Sequence, residues 1–106
     1  MSRIRPSELD ARLESGTDDD PFVLDIRPSS AYRTAAIEQS HNVPVYDELL
    51  EEEFAGLEAA VDELPQDEEI AVVCVAGITS ARAAQFLRER GYEARTMTGG
   101  MGGWGE

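Results

Sequence analysis

The sequence has no lysine and only one cysteine, one histidine and one tryptophan among its 106 residues. Because Cys74 has no second cysteine to pair with, an intramolecular disulfide is excluded and the thiol is free. One cysteine and one histidine also exclude a Cys/His cluster of the kind that holds a structural metal ion. We therefore expect a protein without a metal site, whose single thiol is either buried or reactive.

Long apolar segments are also missing. No apolar run approaches the roughly 20 residues that a helix needs to cross a bilayer, and the first eight residues lack the apolar core of a signal peptide. The length suits a single domain covering residues 1–106. We expect a one-domain protein located in the cytoplasm.

Positive charge is scarce. Nine basic residues, all arginine, stand against 22 acidic residues, and the formal net charge is -13. Such a surface repels nucleic acids and anionic membranes, so we expect neither as a partner. Two explanations for the acidic excess remain open: a halophilic protein from a salt-rich cytosol, where ions screen the self-repulsion, or an acidic and highly soluble domain.

Short apolar segments alternate with amphipathic ones along the chain. Strands are predicted at residues 2–5, 22–26, 42–44, 69–75 and 92–97. Helices are predicted at residues 6–15, 28–36, 45–53, 54–64 and 79–90. Because the apolar strands are short and lie between helices, this order predicts an α/β domain with a mostly parallel sheet.

Several residues are expected to begin or end these elements. Ser29 or Ser30 is predicted to cap the second helix, and Gly16 and Gly91 to end the first and the last. Residues 17–21 are predicted to form an exposed charged turn. The glycine-rich residues 98–104 are predicted to form a tail whose Trp104 packs on the domain.

Asp25 is a carboxylate within an otherwise apolar strand. A charged group among such neighbours must be hydrogen-bonded or paired to be tolerated. Arg27, two residues further on, lies on the same side of an extended chain and is the candidate partner. We predict that the two form a structural pair that orders the following loop, rather than an acid and a base.

Cys74 lies where an apolar strand gives way to a helix, at the carboxyl end at which ligands bind in open α/β sheets. The backbone N–H groups of residues 75–80 precede the helical hydrogen bonds and can converge on one point, and Gly77 permits a tight loop. Such a ring of amides favours a thiolate and an anion attached to it, such as a persulfide. A buried, unreactive cysteine is the alternative, but the strand, glycine loop and helix favour a nucleophile.

Three motifs resemble those of the rhodanese-type sulfurtransferases. Residues 74–80, Cys-Val-Ala-Gly-Ile-Thr-Ser, resemble the active-site loop of that family. Residues 23–27 resemble its Asp-hydrophobic-Arg strand, and residues 99–104 resemble its closing Gly-Gly-x-x-x-Trp motif or a near variant. The order and spacing match over residues 5–104. The resemblance implies a rhodanese-like three-layer domain, with a mostly parallel five-stranded sheet and helices on both faces.

The resemblance also implies a reaction. The Cys74 thiolate would take sulfur from a small donor such as thiosulfate, hold it as a persulfide and pass it to cyanide, a thiol or a sulfur-accepting protein, without a cofactor. A persulfide carrier, or a non-catalytic binding module serving a partner protein, is the alternative. The residues implied to bind the persulfide, mainly through backbone amides, are Val75, Ala76, Gly77, Ile78, Thr79 and Ser80, and the hydroxyl of Thr79 or Ser80 could add a hydrogen bond.

The sequence departs from the pattern of that family at one short stretch and at one single position. Residues 35–37, Ala-Ala-Ile, stand where the family usually has Gly-His-Ile, and Thr79 stands where many single-domain members carry arginine. Without a charge at Thr79, Arg82 or Arg27 would have to attract an anionic donor. For Arg82, a solvated helix residue is an equally supported interpretation.

Two further interpretations are disfavoured. A cysteine phosphatase has a similar anion-binding loop, but it needs an arginine at the position that Ser80 occupies here. His41 could be a general base for Cys74, but it lies in a predicted loop outside any motif, which favours a surface or hydrogen-bonding role.

Overall fold

The computed structural model describes residues 3–15, 21–37, 39–75 and 77–103. Its strands are β1 (Arg3–Ile4), β2 (Phe22–Asp25), β3 (His41–Asn42), β4 (Glu69–Val73) and β5 (Glu93–Met97). Its α-helices are α1 (Pro6–Ser15), α2 (Ser29–Thr34), α3 (Tyr46–Leu50), α4 (Ala55–Ala60) and α5 (Thr79–Arg88). Short 3-10 turns follow at Val61–Glu63 and Gly100–Gly103.

The five strands form one sheet in the order β1-β5-β4-β2-β3. Every pair of neighbouring strands is parallel, so the predicted α/β class is confirmed and the sheet is parallel throughout rather than mostly parallel. β4 is the central strand, and its Val72 lies beside Leu24 of β2 and Thr96 of β5. This position explains the continuous apolar run in β4, because a central parallel strand is buried on both faces.

Helices cover both faces of the sheet. On one face, α3, α4 and α5 pack against the side of the sheet that carries Leu24, Val72 and Cys74. On the other face, α1 packs Leu9 and Leu13 against the side that carries Val23 and Val73. α3 and α4 have only five and six residues, so they are held by this packing rather than by intrinsic helix stability. Within the described ranges, no helix is long and apolar enough to cross a membrane.

The start of α2 corrects one prediction. Ser29 and Ser30 lie inside the helix, and the N-cap residue is Pro28, which makes no side-chain cap hydrogen bond. The expectation that a serine caps α2 is therefore wrong. Pro28 is still extended, with φ -54° and ψ 148°, and the helical conformation begins at the next residue. Both serines therefore lie inside the helix, where they cannot act as the residue that precedes and caps it.

The third strand lies one residue earlier than predicted, at His41–Asn42 instead of residues 42–44. The N–H of Val43 still donates to the Asp25 carbonyl oxygen at 2.9 Å. Pro44 has no N–H and cannot continue this pattern. The predicted helix over residues 45–53 is confined to α3, and the one over residues 54–64 to α4 and the 3-10 turn after it.

The end of α5 also differs in detail. The helix ends at Arg88, its C-cap residue is Glu89, and Gly91 follows with φ 91°. The N–H groups of Gly91 and Tyr92 donate to the carbonyl oxygens of Arg88 and Leu87, so Gly91 reverses the chain just after the helix, where a left-handed φ favours glycine. Gly16, the turn at residues 17–20 and Trp104 lie outside the described residues, and Pro21 at the end of that turn is buried.

Candidate active site

Cys74 is the first residue after the central strand β4, at the carboxyl edge of the sheet. Its exposed fraction is 1%, and the strand alternation places it on the face that α5 covers. The Cys74 carbonyl oxygen accepts a hydrogen bond of 2.9 Å from the N–H of Met101. The glycine-rich end of the chain therefore holds the backbone of the loop that begins at Cys74.

The sulfur atom of Cys74 is surrounded by neutral hydrogen-bonding groups. The backbone N–H of Gly77 donates to Sγ at 3.0 Å, and the backbone N–H of Ser80 donates to it at 3.3 Å. The thiol in turn donates to Ser80 Oγ at 3.2 Å. Two amides from the loop and from the first turn of α5 thus point at one atom, and both can stabilise negative charge on it.

Gly77 occupies a position in the loop that has no room for a side chain. Its φ is 88°, a left-handed conformation, and a Cβ at this residue would lie 2.9 Å from the backbone nitrogen of Gly99. The same Cβ would lie 3.4 Å from the Met97 carbonyl oxygen. Only glycine lets the loop rest on the turn that follows β5, and this contact aims the Gly77 N–H at Sγ.

The six loop residues predicted to bind the persulfide do not share one environment. Gly77 and Ser80 donate amide hydrogen bonds to Sγ, and Thr79 is buried beside them. Val75 and Ile78 expose 47% and 70% of their surface, so the loop presents two apolar side chains to solvent. Ala76 lies outside the described residues.

Ser80 connects the sulfur to Thr96, which no motif in the sequence indicates. Its hydroxyl is hydrogen-bonded to Thr96 Oγ1, and Thr96 Oγ1 donates to the Gly77 carbonyl oxygen at 3.5 Å. Ser80 is completely buried and Thr96 is 4% exposed. A signal was present: Thr96 lies two residues after Ala94 on β5 and therefore on the same, core-facing side of the strand, where a polar residue is unexpected.

Asp25 and Arg27 form the predicted ion pair. Arg27 Nη2 donates to Asp25 Oδ2 at 2.7 Å, and Arg27 Nε donates to both carboxylate oxygens at 3.0 and 3.1 Å. Nη2 also donates to the carbonyl oxygen of Ala35 at 2.6 Å. Asp25 lies on the same face of β2 as Val23, opposite to the face that carries Cys74. The pair therefore braces the segment that contains Ala35, and Nε and Nη2 of Arg27 point to Asp25 and to that segment rather than to the thiol.

Arg82 and His41 are both engaged elsewhere. Arg82 Nη1 donates to the carbonyl oxygen of Leu49 at 2.9 Å, so this side chain joins α5 to the last turn of α3. The imidazole of His41 stacks on the ring of Phe22 with centroids 4.5 Å apart. β2 separates the strand of His41 from β4, an arrangement consistent with a surface packing role and not with a base at Cys74.

The environment of Sγ suits a singly charged sulfur atom. Among the residues that the structure describes, the hydrogen-bond partners of Sγ are two amides and one hydroxyl, and none of them carries a charge. A phosphoryl group, with more charge spread over several oxygens, is bound best by a guanidinium in bidentate geometry. In the same ranges, no three His, Cys, Asp or Glu side chains are grouped as a metal ion would require.

Comparison with known proteins shows which family the domain resembles. Residues 5–106 match the family model described as a rhodanese-like domain. A maize (Zea mays) protein named adenylyltransferase and sulfurtransferase MOCS3-2 is 38% identical over 86 residues, which are 80% of this chain and 17% of the maize protein. The chain thus spans about a sixth of the length of that relative.

Solved structures agree in fold. A rhodanese-like domain protein from Staphylococcus aureus superposes with a TM-score of 0.82 over 100% of this chain and 93% of that one, at 23% identity. A rhodanese homologue from Thermus thermophilus is 30% identical, with a TM-score of 0.63 over 95% of this chain and 98% of that one. The first likeness concerns the fold alone because of its low identity.

Proposed function

The chain belongs to the rhodanese-like domain family, and on this premise we propose that it is a sulfurtransferase that carries sulfur as a persulfide on Cys74. The observation that supports this proposal most directly is the convergence of the Gly77 and Ser80 amides on Sγ. Neutral donors in a buried site stabilise a sulfur anion without a cofactor. The maize relative is itself named as a sulfurtransferase.

The proposed reaction has two displacement steps. In the first, the Cys74 thiolate attacks the outer sulfur of thiosulfate, the S–S bond of the donor breaks, and sulfite leaves with the electron pair. In the second, cyanide or a thiolate attacks the outer sulfur of the persulfide, and the Cys74 thiolate leaves. Electrons balance between donor and acceptor, so that no external oxidant or reductant is needed.

The residues of the loop have separate roles in this mechanism. Gly77 and Ser80 hold the sulfur of Cys74 through their N–H groups, and the Ser80 hydroxyl adds a third contact. These donors stabilise the thiolate that attacks in the first step and leaves in the second. Since Cys74 reacts only as a free thiol, which an oxidising compartment would convert to other forms, we propose a reducing compartment such as the cytoplasm.

Intact-mass measurement tests the proposal. After incubation with thiosulfate and removal of the donor, the wild-type protein should gain one sulfur atom, and it should lose that atom on addition of cyanide as thiocyanate forms. The Cys74→Ser protein should do neither. An organic persulfide serves as a second donor. A wild-type protein that gains sulfur from neither donor would contradict sulfur transfer and favour a binding module.

A persulfide carrier serving a protein acceptor is the second candidate. The exposed apolar side chains of Val75 and Ile78 favour it, because apolar surface beside a reacting group suits contact with a protein. A carrier would be loaded by the donor but would release its sulfur slowly to cyanide or small thiols. An enzyme acting on small molecules would turn over repeatedly with the same acceptors.

A further inference from the structure

We propose that Thr96 is a positioning residue for Cys74, acting through the hydroxyl of Ser80 to favour the thiolate. The hydroxyls of Ser80 and Thr96 are hydrogen-bonded to each other, and Ser80 Oγ lies 3.2 Å from Cys74 Sγ. The three residues come from different parts of the fold: Cys74 directly follows β4, Ser80 lies in the first turn of α5, and Thr96 lies in β5. The inference depends on Cys74 being the reacting thiol of the proposed function, but its test measures the thiol itself.

Burial makes this contact between hydroxyls consequential. Cys74, Ser80 and Thr96 are each at most 4% exposed, so water competes little for their hydrogen bonds. A buried hydroxyl that loses its partner carries a desolvation cost, and a hydrogen bond to a charged atom is stronger than one between neutral groups. The orientation of these two hydroxyls therefore affects the balance between thiol and thiolate.

The directions of the hydrogen bonds follow from counting protons. When Cys74 is a thiol, its S–H donates to Ser80 Oγ and the Thr96 hydroxyl donates to the Gly77 carbonyl oxygen. Each hydroxyl has one proton, so the Ser80 hydroxyl must then donate to Thr96 Oγ1. In this state the chain of donors runs from the sulfur to the Gly77 carbonyl oxygen.

Deprotonation reverses the chain. When the thiol proton passes to a solvent base, the thiolate can only accept, so the Ser80 hydroxyl rotates to donate to Sγ. Thr96 can then rotate to donate to Ser80 Oγ, giving up its bond to the Gly77 carbonyl oxygen, which is long at 3.5 Å. No hydroxyl loses its proton and no covalent bond breaks apart from S–H. Thr96 thus strengthens the bond from Ser80 to the thiolate by donating to its oxygen.

Charged groups around the thiol are held by other partners. Arg27 is paired with Asp25, Arg82 donates to Leu49, Arg88 donates to the Ala94 carbonyl oxygen, and Arg95 is paired with Glu69. The other charged residues on the elements packed against Cys74 are Asp47 and Glu48 of α3, Glu58 of α4 and Glu93 of β5. In the described part of the chain, none of these side chains is hydrogen-bonded to Sγ, which leaves the hydroxyls as the side-chain contacts that respond to its charge.

The test is the pH profile of alkylation of Cys74 by iodoacetamide, which reports the fraction of thiolate. Thr96→Val keeps the shape of the side chain but removes the hydroxyl. In the variant thiol the Ser80 hydroxyl turns to Sγ and leaves only the weak S–H donor unpaired, whereas the variant thiolate loses the hydroxyl that donates to Ser80 Oγ. We therefore expect the midpoint of the profile to rise by about half a unit to one unit. Thr96→Ser should restore the wild-type midpoint. Thr34→Val is the matched control, because the Thr34 hydroxyl bonds to the Ser30 carbonyl oxygen on exposed α2. It should leave the profile unchanged.

Two outcomes would overturn the proposal. One is a Thr96→Val protein with a native circular-dichroism spectrum and an unchanged midpoint. The other, which applies even if Thr96→Val does not fold, is a Ser80→Ala protein whose midpoint equals that of the wild type. If neither thiosulfate nor an organic persulfide loads Cys74 while Thr96→Val still shifts the alkylation midpoint as expected, the proposed function is rejected and the role of Thr96 stands.

Discussion

The backbone of Gly77 packs directly against the backbone of Gly99, so closely that a Cβ on Gly77 would lie 2.9 Å from the Gly99 nitrogen. This contact joins the loop after β4 to the turn after β5. It also aims the Gly77 N–H at the sulfur of Cys74, 3.0 Å away. The reactivity of the thiol therefore depends on the packing of two glycines that are far apart in the sequence.

Gly77→Ala should damage both stability and thiol reactivity. The left-handed φ of 88° and the clash with Gly99 should together cost about 2–3 kcal/mol in the free energy of unfolding. The displaced N–H should also slow alkylation of Cys74 near neutral pH by about tenfold, as expected for the loss of a hydrogen bond to a thiolate. Urea unfolding and iodoacetamide kinetics measure the two effects.

Gly91→Ala is the control for that change. Gly91 has a similar φ of 91°, but a Cβ there would meet no atom within 4 Å. Its substitution should cost only about 1 kcal/mol of stability, from the backbone conformation alone, and should leave the alkylation rate unchanged. Equal alkylation rates in the Gly77→Ala and wild-type proteins would show that the amide of Gly77 does not act on the sulfur.

Asp25→Asn should be strongly destabilising. The substitution keeps the shape of the side chain but leaves the buried guanidinium of Arg27 without a counter-charge, which costs about 3–5 kcal/mol. Glu58→Gln breaks the exposed pair with Arg90 and should cost less than about 1 kcal/mol. Urea unfolding measures both free energies. A small loss in Asp25→Asn would show that the pair does not brace this end of the sheet.

Arg82→Ala tests whether this arginine attracts anions or joins two helices. Because its guanidinium donates to the Leu49 carbonyl oxygen, we expect a loss of about 1 kcal/mol in the free energy of unfolding. The ratio of the alkylation rates with iodoacetate and iodoacetamide should stay within twofold of the wild-type ratio. A fall of tenfold in that ratio would instead assign Arg82 to attracting anionic donors.

The acidic composition predicts a response to salt. With a net charge of -13, self-repulsion should be strong at low ionic strength, and screening should relieve it. If the protein is adapted to a salt-rich cytosol, the unfolding temperature should rise steadily from low to molar KCl. An unfolding temperature that is flat or falls over that range would support an acidic domain without such adaptation.

Local relations in the chain were predictable without a structure. Asp25 and Arg27 are two residues apart in an extended segment, so their side chains reach each other whatever the rest of the fold does. Cys74 and Ser80 are linked by a loop too short to separate them, and the glycine between them indicated the turn. The capping of α2 was not predictable in the same way, because proline and serine are both common at the start of a helix, and only the structure shows that Pro28 precedes the first helical residue without a side-chain cap.

The sequence by itself determined the elements, the α/β class and the placement of Cys74 between a strand and a helix, because these depend on residues close together in the chain. Only the tertiary structure decided that Thr96 reaches Ser80 from 16 residues away, that Gly77 rests on Gly99, and that Arg82 is held by Leu49. Such contacts depend on which strands become neighbours. That order follows from burying both faces of the whole sheet at once, which no single segment encodes.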